Sequence, residues 1–211
     1  MSVVLYGAPG TASLVVHWLL IELGIEHELH PLDFSVQAQK SPAYLALNPA
    51  GRVPTLVLDG QVLTESAAIA MHLADLHPRA GLAPPPGSPA RGAYYRWLCI
   101  CVYTLMPAYR SWFYPHEPAG EPHAAAVAAR ARTQIEAVWQ QVADHLDATG
   151  PYLLGDTVSA ADFVLTMLMR WSRAMPRPSD DWPALAAHAR RMKARPSFVE
   201  VYRREGLTDW T

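Results

Sequence analysis

The chain has 211 residues, of which 51% are apolar and 17% charged, so it is long enough to bury a core and is not a disordered polypeptide. Its formal net charge of -2 gives no basis for binding nucleic acid or an anionic membrane, and neither is expected as a partner. No secretory signal is expected, and the apolar runs are too short to cross a bilayer. We therefore expect Cys99 and Cys101 to be buried, reduced thiols of a cytoplasmic protein.

The first part of the chain alternates strand and helix patterns. Ser2–Tyr6 is a short apolar run before a turn of glycine and proline, and it predicts the first strand. Thr11–Leu23 predicts a helix, Glu26–Leu32 a second strand, and Ser41–Leu47 a short helix or turn with proline at its first position. The chain therefore starts with a β-α-β-α order.

A hairpin and a third helix follow. Asp59-Gly60 separates two apolar runs, Thr55–Leu58 and Gln61–Leu63, and this dipeptide favours the positive φ angles of a primed hairpin turn. An alanine-rich helix is predicted over Glu65–His77. The order β-α-β-α-β-β-α predicts a thioredoxin-like α/β domain.

The remainder of the chain has a helical period. A proline-rich linker is expected over residues 80–89, because proline cannot continue a helix. It separates a first domain of residues 1–79 from an all-helical (all-α) domain of residues 90–211. The helices predicted there include Ala90–Tyr114, Glu121–Thr149, Pro183–Ala194 and Ser197–Glu205.

One more helix start lies inside the helical domain. Ser159 is a favourable N-cap residue, and Asp162, three residues later, can accept a hydrogen bond from the Ser159 backbone. Val158 and Phe163 are placed to form the accompanying hydrophobic staple. Because this arrangement, a capping box, shows only that a helix starts, we assign it a role in folding rather than in chemistry.

The stretch from Asn48 to Ile69 is the most informative for function. A cis Val53-Pro54 bond before an edge strand would leave the backbone N–H and C=O of Val53 free to pair with an extended peptide. Glu65 and Ser66 open a helix, and free N–H groups at a helix N-terminus bind anions. Either feature alone also fits an ordinary turn or cap, but the pair describes a site for a short peptide with an acidic end.

This stretch resembles the glutathione-binding half of the cytosolic glutathione S-transferases. The motif Asn-Pro-x-Gly-x-Val-Pro occupies residues 48–54, and Thr-Glu-Ser-x-Ala-Ile occupies residues 64–69. The resemblance covers essentially the whole chain. It implies a detoxifying transferase that acts as a cytoplasmic homodimer, with glutathione as co-substrate and without a metal.

The resemblance also implies how glutathione is held. Its cysteinyl backbone would lie along Val53 and Pro54, and its γ-glutamyl carboxylate would meet Glu65 and Ser66. Its glycine end would approach the loop before the second helix. There Gln37 or Lys40 would meet a carboxylate, although both also fit ordinary solvated side chains.

Glutathione transfer requires a thiolate, whereas a free thiol with a pKa of about 8.5 is mostly protonated at neutral pH. The protein must place a donor beside the sulfur, and it should come from the turn between Tyr6 and Ser13. This turn most resembles the bacterial beta class, but Ala12 stands where that class has cysteine. Cys99 and Met106 likewise stand at its asparagine and histidine. Thiol–disulfide reduction by a resident cysteine is therefore not expected.

Three side chains remain as candidate donors. Ser13 and Thr11 flank Ala12 in the first turn of the helix, where backbone N–H groups are also free. Tyr6 ends the first strand, where other classes place a catalytic tyrosine. Since Thr11 also fits a helix cap and Tyr6 a core aromatic, we rank Ser13 first and Thr11 second, with backbone N–H groups contributing.

The electrophile is expected to bind against the first long helix of the helical domain. That helix carries an aromatic, methionine-containing wall, which suits flat apolar compounds, although part of it also fits a core or dimer interface. The arginine in it would favour an anionic substrate. The residues assigned to this site are Tyr103, Met106, Tyr109, Arg110 and Phe113.

Two alternatives to a transferase stay open. One is a glutathione-binding protein with little or no catalysis, because Ala12 replaces the expected donor. The other is a non-catalytic interaction module of the same fold, against which the intact Val53-Pro54 and Glu65-Ser66 pair argues. Glutathione peroxidase activity is compatible with the same site.

Overall fold

A computed structural model describes residues 2–211, which form two compact units. One unit contains the chain up to Ala83 together with Lys193–Thr211, and the other is Pro84–Met192. This grouping differs from the predicted division, in which the helical domain continued to residue 211. The reason is that the last helix packs on the first one, where Trp18 Nε1 donates to Ser197 Oγ at 2.8 Å.

The first unit is built on a four-stranded sheet in the order β2-β1-β3-β4. β1 and β2 are parallel, whereas β1–β3 and β3–β4 are antiparallel. Asp59 (φ 47°) and Gly60 (φ 84°) connect the last two strands, as the predicted primed turn requires. The strands are β1 (Val3–Gly7), β2 (Glu28–Pro31), β3 (Thr55–Leu58) and β4 (Gln61–Thr64).

Helices account for most of the remaining chain. The predicted all-helical character of the second unit is confirmed, and so is the thioredoxin-like first unit. Across residues 2–211 the α-helices are α1 (Leu14–Glu22), α2 (Pro42–Leu47), α3 (Ser66–Leu76), α4 (Pro89–Cys99), α5 (Met106–Phe113), α6 (Ala124–Thr149), α7 (Ala160–Trp171), α8 (Pro183–Lys193) and α9 (Pro196–Glu205). Within these same residues no helix is both long and apolar enough to cross a membrane.

The predicted helix Ala90–Tyr114 is divided in the structure. A π-helical segment, Ile100–Leu105, joins α4 to α5 immediately before Pro107. A proline ring in a regular helix clashes with the carbonyl four residues earlier, and a locally wider turn relieves that clash. Cys99 is exposed at the end of α4 and Cys101 is buried, so the expectation of two buried thiols is wrong for Cys99.

The core of the second unit is organised around α7, whose residues from Ala160 to Arg170 are all buried. The predicted capping box is present: the Ser159 N–H donates to Asp162 Oδ2 at 2.8 Å. The other oxygen, Asp162 Oδ1, accepts the Leu153 N–H at 2.9 Å and therefore also ties down the preceding loop. His188 Nδ1 lies 3.9 Å from Asp162 Oδ1, and burial lowers the pKa of this histidine.

Candidate functional site

The peptide bond between Val53 and Pro54 is cis, as the sequence predicted. It lies directly before β3, which begins at Thr55. Within residues 2–211 neither the N–H nor the C=O of Val53 has a hydrogen-bond partner. The backbone of Val53 is therefore available to pair with an extended peptide, in the manner of an added strand.

A buried polar cluster fixes the residue that precedes Val53. Tyr44 Oη and Asn48 Nδ2 both donate to the carbonyl of Arg52, at 2.7 and 2.8 Å. Thr55 Oγ1 accepts from Asn48 Nδ2 at 3.0 Å and lies 2.8 Å from Tyr44 Oη. Burial raises the pKa of Tyr44, so its hydroxyl remains a protonated donor.

Sequence reasoning assigned no role to Tyr44 or Thr55, although both contribute to holding this segment. The available signal was indirect: Thr55 is a polar residue that begins a strand otherwise made of leucine and valine. Its partners are Tyr44 in α2 and Asn48 directly after that helix, and nothing in the local pattern shows that α2 packs there. Contacts between elements distant in sequence decide such roles.

The start of α3 leaves several backbone donors open. Ser66 is the first helical residue, and Glu65 before it has a φ of 68° and makes no side-chain cap. The first hydrogen bond of the helix runs from Ile69 N–H to Glu65 C=O at 2.9 Å. The N–H groups of Ser66, Ala67 and Ala68 have no partner among residues 2–211. Open N–H groups at a helix N-terminus are of the kind that bind anions in proteins.

The turn before α1 is closed by Ser13, the first-ranked candidate donor. Its side chain is 1% exposed, and its hydroxyl accepts from the Ala8 N–H and donates to the Ala8 C=O, both at 3.0 Å. A Cβ atom at Gly7 would lie 2.6 Å from Ser13 Oγ, so only glycine leaves room for this arrangement. The hydroxyl of Ser13 is committed to the turn, which favours a bracing role over a role as donor to a ligand.

Thr11 and Ala12 are more open than Ser13. Thr11 is half-buried, and its Oγ1 donates to the Ala8 C=O at 2.7 Å. Ala12 is half-buried too, and its backbone N–H has no partner within residues 2–211. Tyr6 is half-buried and stacks on His30 with ring centroids 4.9 Å apart.

The two residues predicted at the glycine end of glutathione differ in placement. Lys40 Nζ donates to the C=O of Ala50 at 3.3 Å, which holds its ammonium group beside the segment leading to Val53. A Cβ atom at Gly51 would lie 2.7 Å from Lys40 Nζ, so glycine permits this approach. Gln37 is exposed in a left-handed conformation (φ 54°) and, within residues 2–211, makes no hydrogen bond to that segment.

Tyr109 does not line an open wall in the second unit. It is 0% exposed and packs against Phe113, Trp139 and Trp171, with ring centroids 5.8, 6.5 and 5.6 Å away. Its assignment to the electrophile site is therefore wrong, because an aromatic with this many apolar neighbours belongs to the core. Burial also raises the pKa of its hydroxyl.

The other four residues of that prediction reach the surface to different degrees. Tyr103 is 78% exposed, Phe113 is exposed, and Met106 is half-buried. Arg110 pairs with both carboxylate oxygens of Glu117 and lies over the ring of Tyr114 at 3.9 Å. Since its charge already has a partner, Arg110 provides little attraction for an anionic substrate.

Comparisons with known proteins match both parts of the chain. The family model for the glutathione S-transferase N-terminal domain matches residues 1–75, and that for the C-terminal domain matches residues 125–191. Glutathione S-transferase GST-4.5 of Xanthomonas campestris pv. campestris is 34% identical over 209 residues, which cover 96% of this chain and 98% of that protein.

Solved structures agree with the sequence comparisons. The glutathione S-transferase from Xylella fastidiosa superimposes with a TM-score of 0.89 at 31% identity, over 98% of this chain and 100% of that one. A sphingomonad glutathione S-transferase complexed with glutathione superimposes with a TM-score of 0.83 at 31% identity, over 97% and 100% of the two chains.

Proposed function

The chain belongs to the glutathione S-transferase family, and we propose that it binds glutathione at Val53 and Ser66 and conjugates the glutathione thiolate to an apolar electrophile. The observation that carries this proposal is the open start of α3 close in sequence to the unpaired backbone of Val53. One site recognises a carboxylate and the other an extended peptide. Glutathione contains both a carboxylate and an extended peptide backbone.

The γ-glutamyl carboxylate of glutathione would accept hydrogen bonds from the amides at the start of α3 and from the hydroxyl of Ser66. The cysteinyl residue would pair with the N–H and C=O of Val53, while Pro54 keeps that backbone in place. Glu65, exposed next to Ser66, would meet the amino group of the same γ-glutamyl unit, because opposite charges attract across a short distance. Lys40 would meet the glycine carboxylate; Gln37, predicted for the same role, is the weaker candidate.

The sulfur would lie at the start of α1. There the unpaired N–H of Ala12 would stabilise the thiolate, aided by the positive end of the helix, and the half-buried hydroxyl of Thr11 would turn from the Ala8 C=O to the sulfur when glutathione binds. Ser13 would brace the turn, and Tyr6, stacked on His30, ranks below Thr11 as a donor. The thiolate would attack an electrophilic carbon and form a C–S bond while a leaving group such as halide departs with its bonding electrons. No cysteine is present in this turn to form a mixed disulfide instead.

The electrophile would be apolar and would contact the exposed side of the helix formed by α4, the π-helical segment and α5. Tyr103, Met106 and Phe113 offer aromatic and thioether surface for it. The enzyme would act in the cytoplasm as a homodimer.

Calorimetric titration with glutathione tests the site. Ser66→Ala removes one hydrogen bond to a charged ligand, and we expect it to weaken binding roughly tenfold, as a loss of about 1.5 kcal/mol implies. Ser159→Ala is the matched control, since it removes a helix-start serine that caps its own helix and should lower stability without changing affinity. A parent protein that binds no glutathione at millimolar concentration would exclude the proposal.

Measuring turnover distinguishes a transferase from a non-catalytic glutathione-binding protein. The second function is favoured by Ala12, which stands where a side-chain donor was expected. The assay uses an apolar aryl halide as the electrophile. Thr11→Val keeps the shape of the side chain and removes its hydroxyl, and we expect kcat to fall about tenfold or more while glutathione binding changes little. Binding without measurable turnover in the parent protein would favour the binding protein.

A further inference from the structure

Glu205, at the end of α9, contacts the turn that precedes α1. Its Oε2 accepts the N–H of Gly10 at 2.8 Å, and its Oε1 lies 2.9 Å from His17 Nδ1. The side chains of Glu205 and His17 are 4% and 1% exposed, so water does not screen these contacts. The same carboxylate therefore joins α1 to the turn, although it lies almost at the other end of the chain.

His17 orients this carboxylate. A carboxylate only accepts hydrogen bonds, so Nδ1 of His17 carries the proton that it shares with Glu205. Its other ring nitrogen, Nε2, is buried and has no partner within residues 2–211. The ring of His27 packs edge-on against that of His17, with centroids 5.2 Å apart, and limits its rotation.

The place of Glu205 within α9 is unfavourable for the helix itself. The last turn of a helix carries partial negative charge, which favours cations such as Arg203 and Arg204 and disfavours a carboxylate. Residues that conflict with their local structure tend to serve a tertiary or functional purpose. The two hydrogen bonds to Gly10 and His17 are the compensation that the structure shows.

Docking of α9 on α1 does not depend on Glu205 alone. At the other end of the contact, Arg195 and Ser197 both bind the carboxylate of Glu22, and Ser197 accepts from Trp18. The hydrogen bonds of Arg195 and Ser197, with the charge of Arg195, outweigh the effect of burial and lower the pKa of Glu22. These contacts hold the helices without touching the turn.

We propose that Glu205 is a positioning residue for the transferase reaction, whose carboxylate, oriented by His17, holds the Gly10 N–H and so fixes Thr11 and Ala12 for the glutathione sulfur. The two residues that follow Gly10 carry the proposed thiolate donors, and a donor misplaced by a fraction of an ångström loses much of its effect. This inference rests on the proposed function.

The test compares two variants, each of which removes one carboxylate that pairs α1 with α9. Glu205→Gln keeps the size of the side chain but weakens the bond to the Gly10 N–H, whereas Glu22→Gln loosens the same helix pair away from the turn. The pKa of the glutathione thiol bound to each variant is read from its ultraviolet thiolate absorbance as a function of pH. Glutathione affinity and thermal unfolding are measured on the same samples.

We expect Glu205→Gln to raise the pKa of the bound thiol and to lower kcat/KM at neutral pH about tenfold, with glutathione affinity changed less than about threefold. Glu22→Gln should leave the thiol pKa unchanged even where it lowers the unfolding temperature. A thiol pKa that is the same in Glu205→Gln and the parent protein would overturn the inference and leave Glu205 a purely structural residue.

Hydrogen exchange of the ligand-free protein keeps the inference separate from the proposed function. The Gly10 amide should exchange about tenfold faster in Glu205→Gln than in Glu22→Gln, because only the first variant replaces the charged acceptor of this N–H by a weaker, neutral one. Equal exchange in both variants would overturn the positioning role. If the parent protein binds no glutathione, the proposed function fails, and the exchange rates still decide whether Glu205 holds the turn.

Discussion

The starts of α3 and α7 use similar residues in opposite ways. At α7, Ser159 and Asp162 are buried, and the Asp162 carboxylate accepts backbone N–H groups from Ser159 and Leu153. At α3, Glu65 is exposed and makes no cap, and the amides of the first turn remain open. One helix start satisfies its own backbone, and the other leaves the first N–H groups of its helix without a partner among residues 2–211.

The two helix starts differ because their serines differ in position by one residue relative to the first helical residue. Ser159 precedes α7 and has an extended backbone, so it can act as an N-cap, whereas Ser66 is already inside α3. The residue before Ser66 is Glu65, whose φ of 68° lies in a region that side chains with a Cβ rarely adopt. Backbone strain of this kind is found at ligand sites, where the surrounding structure holds it in place.

Removing the carboxylate at the start of α7 should have the largest effect on stability. Asp162→Ala leaves two buried N–H groups, those of Leu153 and Ser159, without an acceptor, and we expect the free energy of unfolding to fall by about 3 kcal/mol. Denaturant unfolding gives this value. Asp156→Ala, which removes an exposed carboxylate from the same loop, is the control and should have little effect. An equal loss of unfolding free energy in both variants would contradict the stabilising role of the capping box.

Relieving the strained backbone at the start of α3 should have a smaller effect of opposite sign. Glu65→Gly suits a φ of 68° without steric cost, and we expect the free energy of unfolding to rise by about 1 kcal/mol. Glu65→Ala removes the same carboxylate but keeps the Cβ, so it should not stabilise the protein. Both variants should bind glutathione more weakly; a Glu65→Gly protein no more stable than Glu65→Ala would show that the backbone there is unstrained.

Closing the open start of α3 should have the smallest effect on stability. Ala68 is exposed in the first turn, and Ala68→Glu adds a carboxylate that favours the positive end of the helix by about 0.5 kcal/mol. The same charge should repel the ligand carboxylate and weaken glutathione binding several-fold. Ala68→Gln has the same length without the charge and should bind like the parent protein, and calorimetry at low and high salt compares the two. Binding unaffected by the added charge would mean that no ligand carboxylate approaches this helix start.

The candidate site was predictable where its parts are close in sequence. Val53-Pro54 and Glu65-Ser66 stand in short motifs, and their cis bond and open helix start appear in the structure as expected. Ser13 was ranked first because its place in the turn is visible from the sequence. Its bonds to both backbone groups of Ala8 are not visible there, since they depend on how the turn closes on itself.

The electrophile wall shows the same limit. Spacing along a helix groups Tyr109 with Met106 and Phe113, but only packing reveals that Trp139 and Trp171 enclose Tyr109. Likewise the sequence suggests that Arg110 is an unpaired cation, but in the structure it pairs with Glu117, seven residues later. The sequence shows which chemical groups the side chains carry, whereas only the packed structure shows which of them a substrate can reach.

Local sequence was enough to predict the order of strands and helices, the hairpin at Asp59-Gly60 and the capping box at Ser159, because each depends on the conformational preferences of a few neighbouring residues. That α9 joins the first unit and that Glu205 reaches Gly10 could be learned only from the folded chain. Such contacts join residues far apart in the chain, and they form only where burial of apolar surface brings two helices together.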